Sequence, residues 1–518
     1  MNELDRIEQS GEPSRRSLSM LVGALLGRAE VLNVMGKNTF AIKDLLYGIK
    51  ASTELEDCRL LADCFLQLSY IHHSLNQYDD MFRTSARAIR FYRKTKNYEG
   101  IANCYNIMGL VYYAKHDHKK SLKYHNKSLR INKKLNYREG VATNLLNIAI
   151  VYDDLGEYKN ALKFYKRCLQ LSSDDGSLMG LAYALNNIGT IYHSLGDNSK
   201  ALEHYKRGLK IREKICDNEG IAESYNNVGV IYYAYGLYDK AVECFYRSLL
   251  IKKKIGALNG QATAYNNIGS VYMAMGNYSR AIKIFEKALV LWKKIRNLSG
   301  QGIIYNNLGY LYLILGDYDR AIFYLNRSFK INSKIHHLNS LVVCLIHLAN
   351  VNIMLQNFGR VFGLLKRAER IAKEIERKDS LMRIYIGYCE LMIMERNFLC
   401  AMDYCKKAHR LANETNSRKG MGEAVFLKAR IYSAQNGKDK KRIAEEKFRE
   451  AAKIFRVLSQ QFELAKTYYY FGEMLKKQNK EKADEFLKMA ASIFKKIGAE
   501  KWLKITQSLF MAKNQSMK

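Results

Sequence analysis

Proline is nearly missing. The 518 residues contain one, where average usage would put roughly 26, and that scarcity excludes polyproline linkers and turn-dense all-β folds while leaving long, uninterrupted helices. Acidic residues are short as well: 50 Asp and Glu stand against 84 Lys and Arg, a formal net charge of +34. The ten cysteines are scattered, with no CxxC or finger-like Cys/His spacing, which excludes a disulfide framework and a structural zinc site and fits a reducing cytoplasm. No run of eighteen or more apolar residues escapes polar interruption, so no membrane span is expected. Arg15-Arg16 before an apolar run resembles a twin-arginine export signal only superficially, because Leu21 to Gly36 already reads as the first helix of a repeat. The motifs GxxxxGK[ST], GxSxG and HExxH are lacking, so neither an enzyme nor a cofactor is expected.

Core material is plentiful, at 48% hydrophobic and 11% aromatic, and it is distributed with a period of forty. The copies beginning at Leu181, Ile221, Gln261 and Gln301 place the same small, aromatic and apolar types at the same offsets. The register extends back through Val141, Ile101, Leu61 and Leu21 and forward through Leu341, Leu381 and Met421. An insertion in Gly437 to Arg442 then displaces the last copy to Leu464. Twelve copies span about 21–500, preceded by an N-terminal extension (1–20) and followed by a C-terminal capping helix and tail (501–518).

Each copy reads as two helices. In the first, Tyr305, Leu308, Gly309 and Tyr312 recur at helical spacing until Gly316-Asp317 supplies a turn, and the second starts near Tyr318 with the stripe Ala321, Leu325, Ser328 and Phe329. Gly140, Gly180, Gly220, Gly260 and Gly300 are expected at C′ positions that need positive φ. The columns Gly109, Gly189, Gly229, Gly269, Gly309 and Ala161, Ala201, Ala241, Ala281, Ala321 are packing positions. Because one helix pair cannot bury its apolar face alone, neighbouring copies must stack into an all-α solenoid.

The pattern in Asn307-Leu308-Gly309, Tyr312, Leu315 to Asp319 and Ala321 resembles the tetratricopeptide repeat over nearly the whole chain. The forty-residue period resembles the variety in kinesin light chains, Pins-type polarity adaptors and bacterial peptide-sensing regulators. The resemblance implies a right-handed α-solenoid of about twelve helix-turn-helix repeats, with first helices lining a concave groove and second helices forming the convex back. It also implies a protein-interaction scaffold that holds an extended peptide, chiefly over 101–340, with degenerate capping repeats at 341–500; a ligand-responsive signalling regulator is a narrower form of the same expectation.

On those faces the charge divides. Across 181–196, 221–236, 261–276 and 301–316 the only formally charged side chain is Glu223, whereas second helices carry runs such as Lys252 to Lys254. A groove so nearly uncharged argues against a clamp for a carboxylate. It carries an Asn ladder instead: Asn106 and Asn147, then Asn186/Asn187, Asn226/Asn227, Asn266/Asn267 and Asn306/Asn307, with Tyr183, Tyr233 and Tyr310 around it. A carboxamide offers donors and an acceptor to a peptide backbone. The second Asn of each pair also belongs to the plain repeat pattern, so it is open to a purely structural role; packing does not demand the first. The ladder is expected to end after residue 340, where Ile346/His347 replaces the pair.

The basic back either complements helix dipoles and keeps the solenoid soluble or meets an anionic partner, such as an acidic protein, nucleic acid or a membrane surface. His116, His118 and His125 surround a turn, but no Cys or carboxylate lies at recognised ligand spacing and no metal is expected.

Overall fold

In a computed structural model of the chain, the described residues are 14–476 and 478–511. Most of the expected extension 1–20 (residues 1–13) and the tail 512–518 lie outside them. The described residues form twenty-five α-helices and no strand. They run as twelve consecutive pairs from α1 (Arg15–Val34) and α2 (Asn38–Glu54) to α23 (Gln461–Leu475) and α24 (Lys480–Ile497), closed by α25 (Glu500–Met511).

The period of forty comes from local geometry. A typical copy joins two helices of 17 residues, such as α13 (Leu258–Ala274) and α14 (Tyr278–Lys294), by three-residue links. In such a link the first residue past the helix remains right-handed and the second turns left-handed, as at Gly276 (φ 75°) and, without glycine, at Arg296 (φ 54°). At many of the helices an Asn, Asp or Ser then caps the N-terminus, as Asp317 does by accepting from the Arg320 amide at 3.0 Å.

Two sequence expectations about glycine separate here. Gly140, Gly180, Gly220, Gly260 and Gly300 are not C′ residues: each sits in the first turn of a first helix, and the left-handed position falls four residues earlier, at Asn136, Gly176, Cys216, Gly256 and Arg296. They are small because a Cβ there would run into the preceding second helix; at Gly260 it would stand 2.7 Å from the Lys252 side chain. The packing column is as expected. Gly189, Gly229, Gly269 and Gly309 each lie under the side chain sixteen residues on, Tyr205, Phe245, Phe285 and Leu325, at 2.6–2.8 Å from where a Cβ would stand. Ala161, Ala201, Ala241, Ala281 and Ala321 are fully buried.

The helices group into two compact units, residues 1–220 and 221–518. Within each, first helices of successive copies pack on one another more closely than second helices do, which places the first helices on the inner side of the curve. In the C-terminal unit the largest apolar core runs from Ala262 to Trp502, joining copies 7 and 8 to copies 11 and 12. The last helices reach back across the inner side: Gly276 meets Ile497 and Gln461, and the Lys501 ammonium lies 3.8 Å over the Tyr318 ring.

Candidate functional site

Two constellations stand on inner helix faces, one in each unit. In the N-terminal unit, α5 (Tyr98–Ala114), α6 (His118–Lys134) and α7 (Arg138–Asp154) converge on Asn106. Its Oδ1 accepts from Asn147 Nδ2 at 2.9 Å, Asn144 Nδ2 at 3.1 Å and His125 Nδ1 at 2.9 Å. Asn144, 1% exposed, also bonds Ser128 and accepts from Asn132 Nδ2 at 2.8 Å. Burial pushes His125 down to about 4, so the ring is neutral and its Nδ1 carries the proton that Asn106 accepts. Asn144 escaped the sequence reading, although an Asn in a column that holds Cys104, Ala184 and Ala264 in other copies was a visible signal; His125 was noted only as one of three histidines around a turn.

The same link recurs in the C-terminal unit. Asn267 donates to Asn226 at 2.7 Å, and Asn307 donates to Asn266 at 3.2 Å. Each joins the second Asn of one copy to the first Asn of the copy before, forty-one residues earlier. The ladder does not stop at residue 340, as expected from the loss of Asn: His347 stands in the second column and its Nδ1 donates to Asn306 at 3.1 Å. Arg383, which can only donate, bonds the other ring nitrogen at 2.8 Å and fixes that tautomer. Burial first, then Arg383 and Lys419, hold His347 well below its ordinary pKa.

Asn227 departs from the expectation of a ladder amide held open for a ligand. It is half-buried on α11 (Asn218–Ala234) and engaged within the chain, as is Asn186 on α9 (Leu178–Ser194). The physical reason is the cost of a half-buried amide left unbonded, which the fold meets with its own groups. Asn227 therefore belongs with Asn267 and Asn307 among the residues that the chain itself uses. The first column is claimed by the fold too, since Asn226, Asn266 and Asn306 each accept a bond from the copy that follows.

Asn187 stands apart. Its carboxamide on α9 is half-buried and has no intramolecular hydrogen bond among the described residues, because position 146, where its partner would be, is Leu. Tyr183, on the same helix, is 43% exposed with Arg212 against its ring.

The inner side of the C-terminal unit is charged beyond the four stretches that read as nearly uncharged. There α19 (Lys378–Met394), α21 (Arg418–Ser433) and α23 bring Arg383, Glu390, Lys419, Glu423, Arg430, Glu463 and Lys466 together. Lys419 pairs with Glu463 at 2.8 Å and with Glu423 at 3.8 Å, and Lys466 with Glu390 at 3.5 Å. Burial opposes the charge on Lys419, but Glu463 and Glu423 outweigh it and hold the ammonium well above the usual lysine range. Burial likewise opposes ionisation of Glu463, and Lys419 overcomes it, leaving that carboxyl below its ordinary value; Glu423, less well paired, is pushed up by burial. Tyr233 and Tyr310 face this cluster, and Tyr310 stacks on His347 at 4.6 Å. Against it lies a cavity of about 350 Å³ walled by Tyr310, Phe426, Phe462, Tyr470, Trp502 and Ile505 among others. Of these charges, Arg383, Glu423 and, after the three-residue insertion, Lys466 occupy the column of Tyr183, and Glu390 and Arg430 that of Tyr310, inner-face positions legible in the sequence.

The histidine cluster divides. His125 joins Asn106, while His116 and His118 meet Asp154 of the next copy, with their ligand-type atoms within 4.8 Å of one another. The carboxylate comes from 36 residues away, beyond any local motif spacing.

The family description "Tetratricopeptide repeat" matches residues 100–174, 180–254 and 260–334. These copies are tetratricopeptide repeats. A second family, "Anaphase-promoting complex subunit 5", matches 309–395. No curated protein matches the sequence significantly. Among solved structures, the chain is similar to a signal transduction ATPase with numerous domains and a tetratricopeptide repeat sensor from Pyrococcus horikoshii, at 18% identity and TM-score 0.50 over 68% of this chain and 53% of that one. It is also similar to a Rap protein complexed with competence and sporulation factor (15%, TM-score 0.48, 68% and 98%) and to aspartyl phosphate phosphatase F from Bacillus subtilis (15%, TM-score 0.45, 64% and 86%). At such identities the likeness is one of fold. Tetratricopeptide repeats make this a protein-interaction scaffold, and no helix among the described residues is long and apolar enough to cross a membrane.

Proposed function

We propose that the chain is a non-catalytic cytoplasmic adaptor whose inner face binds an extended peptide segment of a protein partner, with Asn187 and Tyr183 at the centre of the contact. The observation carrying this reading is the unspent Asn187 carboxamide. Elsewhere the ladder consumes its own hydrogen-bonding capacity, so a second-column Asn is generally a link between copies. Asn187 has no such duty, and it sits half-buried beside an exposed Tyr, where one amide can both donate to and accept from a peptide backbone. The remaining capacity of Asn106, whose Oδ1 is taken but whose N–H groups have no partner among the described residues, and of Asn147 Oδ1 extends the same surface.

Selection of binders from a random peptide display library, at low and moderate salt, tests this. Wild type is expected to select peptides whose binding changes little with salt and drops about tenfold with Asn187→Ala, which removes one satisfied polar contact. Binders that survive Asn187→Ala with Tyr183→Ala would refute the assignment. If moderate salt strips them all, the basic back and an anionic partner are the working surface instead.

A further inference from the structure

The cavity of the C-terminal unit is lined by a buried guanidinium, Arg430, that forms no ion pair with any described carboxylate. The residue is 9% exposed, and no described carboxylate lies within 4.0 Å. Its only polar contact there is Nη2 to the Met394 sulfur at 4.0 Å, and its guanidinium otherwise lies 4.2 Å over the Tyr470 ring. Glu473 is near enough to feel the charge but forms no ion pair with it. Of the neighbouring cations, Lys419 pairs with Glu463 and Lys466 with Glu390, Arg383 donates to the lone pair of His347, and Lys501 lies over the Tyr318 ring. The lining carboxylates are answered too, since Glu390 and Glu463 each hold a lysine and Glu423 lies 3.8 Å from Lys419. Five N–H donors at a buried guanidinium are costly to leave unmatched, and a planar fork matches a carboxylate best.

We infer that this cavity binds a small organic acid, with its carboxylate on Arg430 and an aromatic or branched apolar body among Tyr310, Phe426, Tyr470 and Trp502. Size agrees with this ligand class: about 350 Å³ equals roughly a dozen waters of liquid volume, room for a single ring with a short acidic arm. The wall contributed by α25, through Lys501, Trp502 and Ile505, makes the site complete only when the last helix is docked. The site stands apart from Asn187 and does not depend on its role.

Isothermal titration of the full chain with 3-phenylpropionate, 3-phenylpropanamide and N-acetyl-alanyl-phenylalanine tests the inference. The acid should bind once per chain and at least about tenfold tighter than the neutral amide, the difference expected for one charge-assisted contact. It should also change the fluorescence of Trp502. Arg430→Met should bring the acid down to the level of the amide, and Arg430→Lys should retain part of the preference. The dipeptide binding more tightly than the free acid would identify a peptide C-terminus as the source of the carboxylate, and weaker binding would identify a free small acid. Equal binding of acid and amide to wild type overturns the inference whether or not the variants fold. So does no binding of any carboxylate probe, or an acid preference that persists in a folded Arg430→Met protein.

Discussion

Replacing Lys419 by Met should destabilise the C-terminal unit, and the loss should depend on pH. The substitution keeps most of the chain's volume but leaves Glu463, 15% exposed, and Glu423, 25% exposed, facing each other without their shared cation. Breaking a sealed pair costs about 3–5 kcal/mol, whereas an exposed pair is worth only about 0.2–1 kcal/mol. Lys419 lies deep on the inner side yet keeps 40% of its side chain accessible, so the expected loss falls between, at about 2 kcal/mol.

Both tryptophans, Trp292 and Trp502, belong to this unit, so fluorescence-detected melting reads it directly. A loss of about 2 kcal/mol corresponds to roughly 4–8 °C. The pair stabilises through a Glu463 pKa below its unfolded value and a Lys419 pKa above its own. Its contribution is therefore complete between about pH 4.3 and pH 10.4, the two unfolded values. It fades as pH falls through the folded Glu463 pKa or rises through the folded Lys419 pKa. In the variant both carboxyls take up protons at a higher pH than in wild type, so the deficit at pH 7.5 should shrink markedly by pH 4. A deficit of equal size at both values, or none at pH 7.5, would refute the assignment of this cluster as an ionic network. Adding Glu463→Gln to the variant should recover part of the loss, since it removes the uncompensated charge.

Asn144→Ala should cost the N-terminal unit about 2–3 kcal/mol in a urea titration followed by circular dichroism, because it strands Ser128 and Asn132 in a buried site. His125, depressed to about 4 and 1% exposed, makes stability fall as pH drops from about 6.5 towards 4, by up to about 3 kcal/mol; the unfolded ring takes a proton that the folded ring refuses. His125→Gln should flatten that slope in the same titration. Gly269→Ala should lower the melting temperature, because its Cβ would stand 2.6 Å from the fully buried Phe285 ring. Gly363→Ala, in the interior of α18 (Phe358–Glu374) with no atom within 4 Å of a Cβ, should raise it by the helix-propensity gain of about 1 kcal/mol.

The repeat register, the helix pairs and the glycine and alanine packing columns were legible because each is a contact between near neighbours repeated every forty residues. The position of the left-handed turn was not. A helix stop needs positive φ but not glycine, and Asn136, Cys216 and Arg296 adopt it here while the more conspicuous Gly140, Gly220 and Gly300 serve close packing. The Asn columns were legible as inner-face positions, but their duties were not: Asn187 and Asn227 share one place in the repeat, and only the second is engaged within the chain. The charged inner cluster was half legible. Arg383, Glu423 and, past the insertion, Lys466 stand in the column of Tyr183, so their face followed from the period, but their convergence did not. It depends on contacts such as Lys501 with Tyr318 and Gly276 with Ile497, about 180 and 220 residues apart, for which a nearest-neighbour pattern holds no information.

Whether a ladder Asn packs or recognises is settled copy by copy, by what stands forty-one residues before it. Asn147, Asn267 and Asn307 find Asn106, Asn226 and Asn266, and even His347 finds Asn306. Asn187 finds Leu146, itself half-buried on α7. Against that neighbour, a leucine at 187 would remove more apolar surface from water than an amide does, at about 25 cal/mol per Å², and would leave no polar group half-satisfied. Asn187→Leu should therefore raise thermal stability slightly, by about 0.5–1 kcal/mol, while abolishing capture of the peptides that wild type selects. Opposite movement of the two readouts is the signature of a residue kept for recognition at some expense to packing. If stability falls instead, Asn187 has a structural bond that its surroundings conceal, and the centre of the proposed peptide contact lies elsewhere on the inner face.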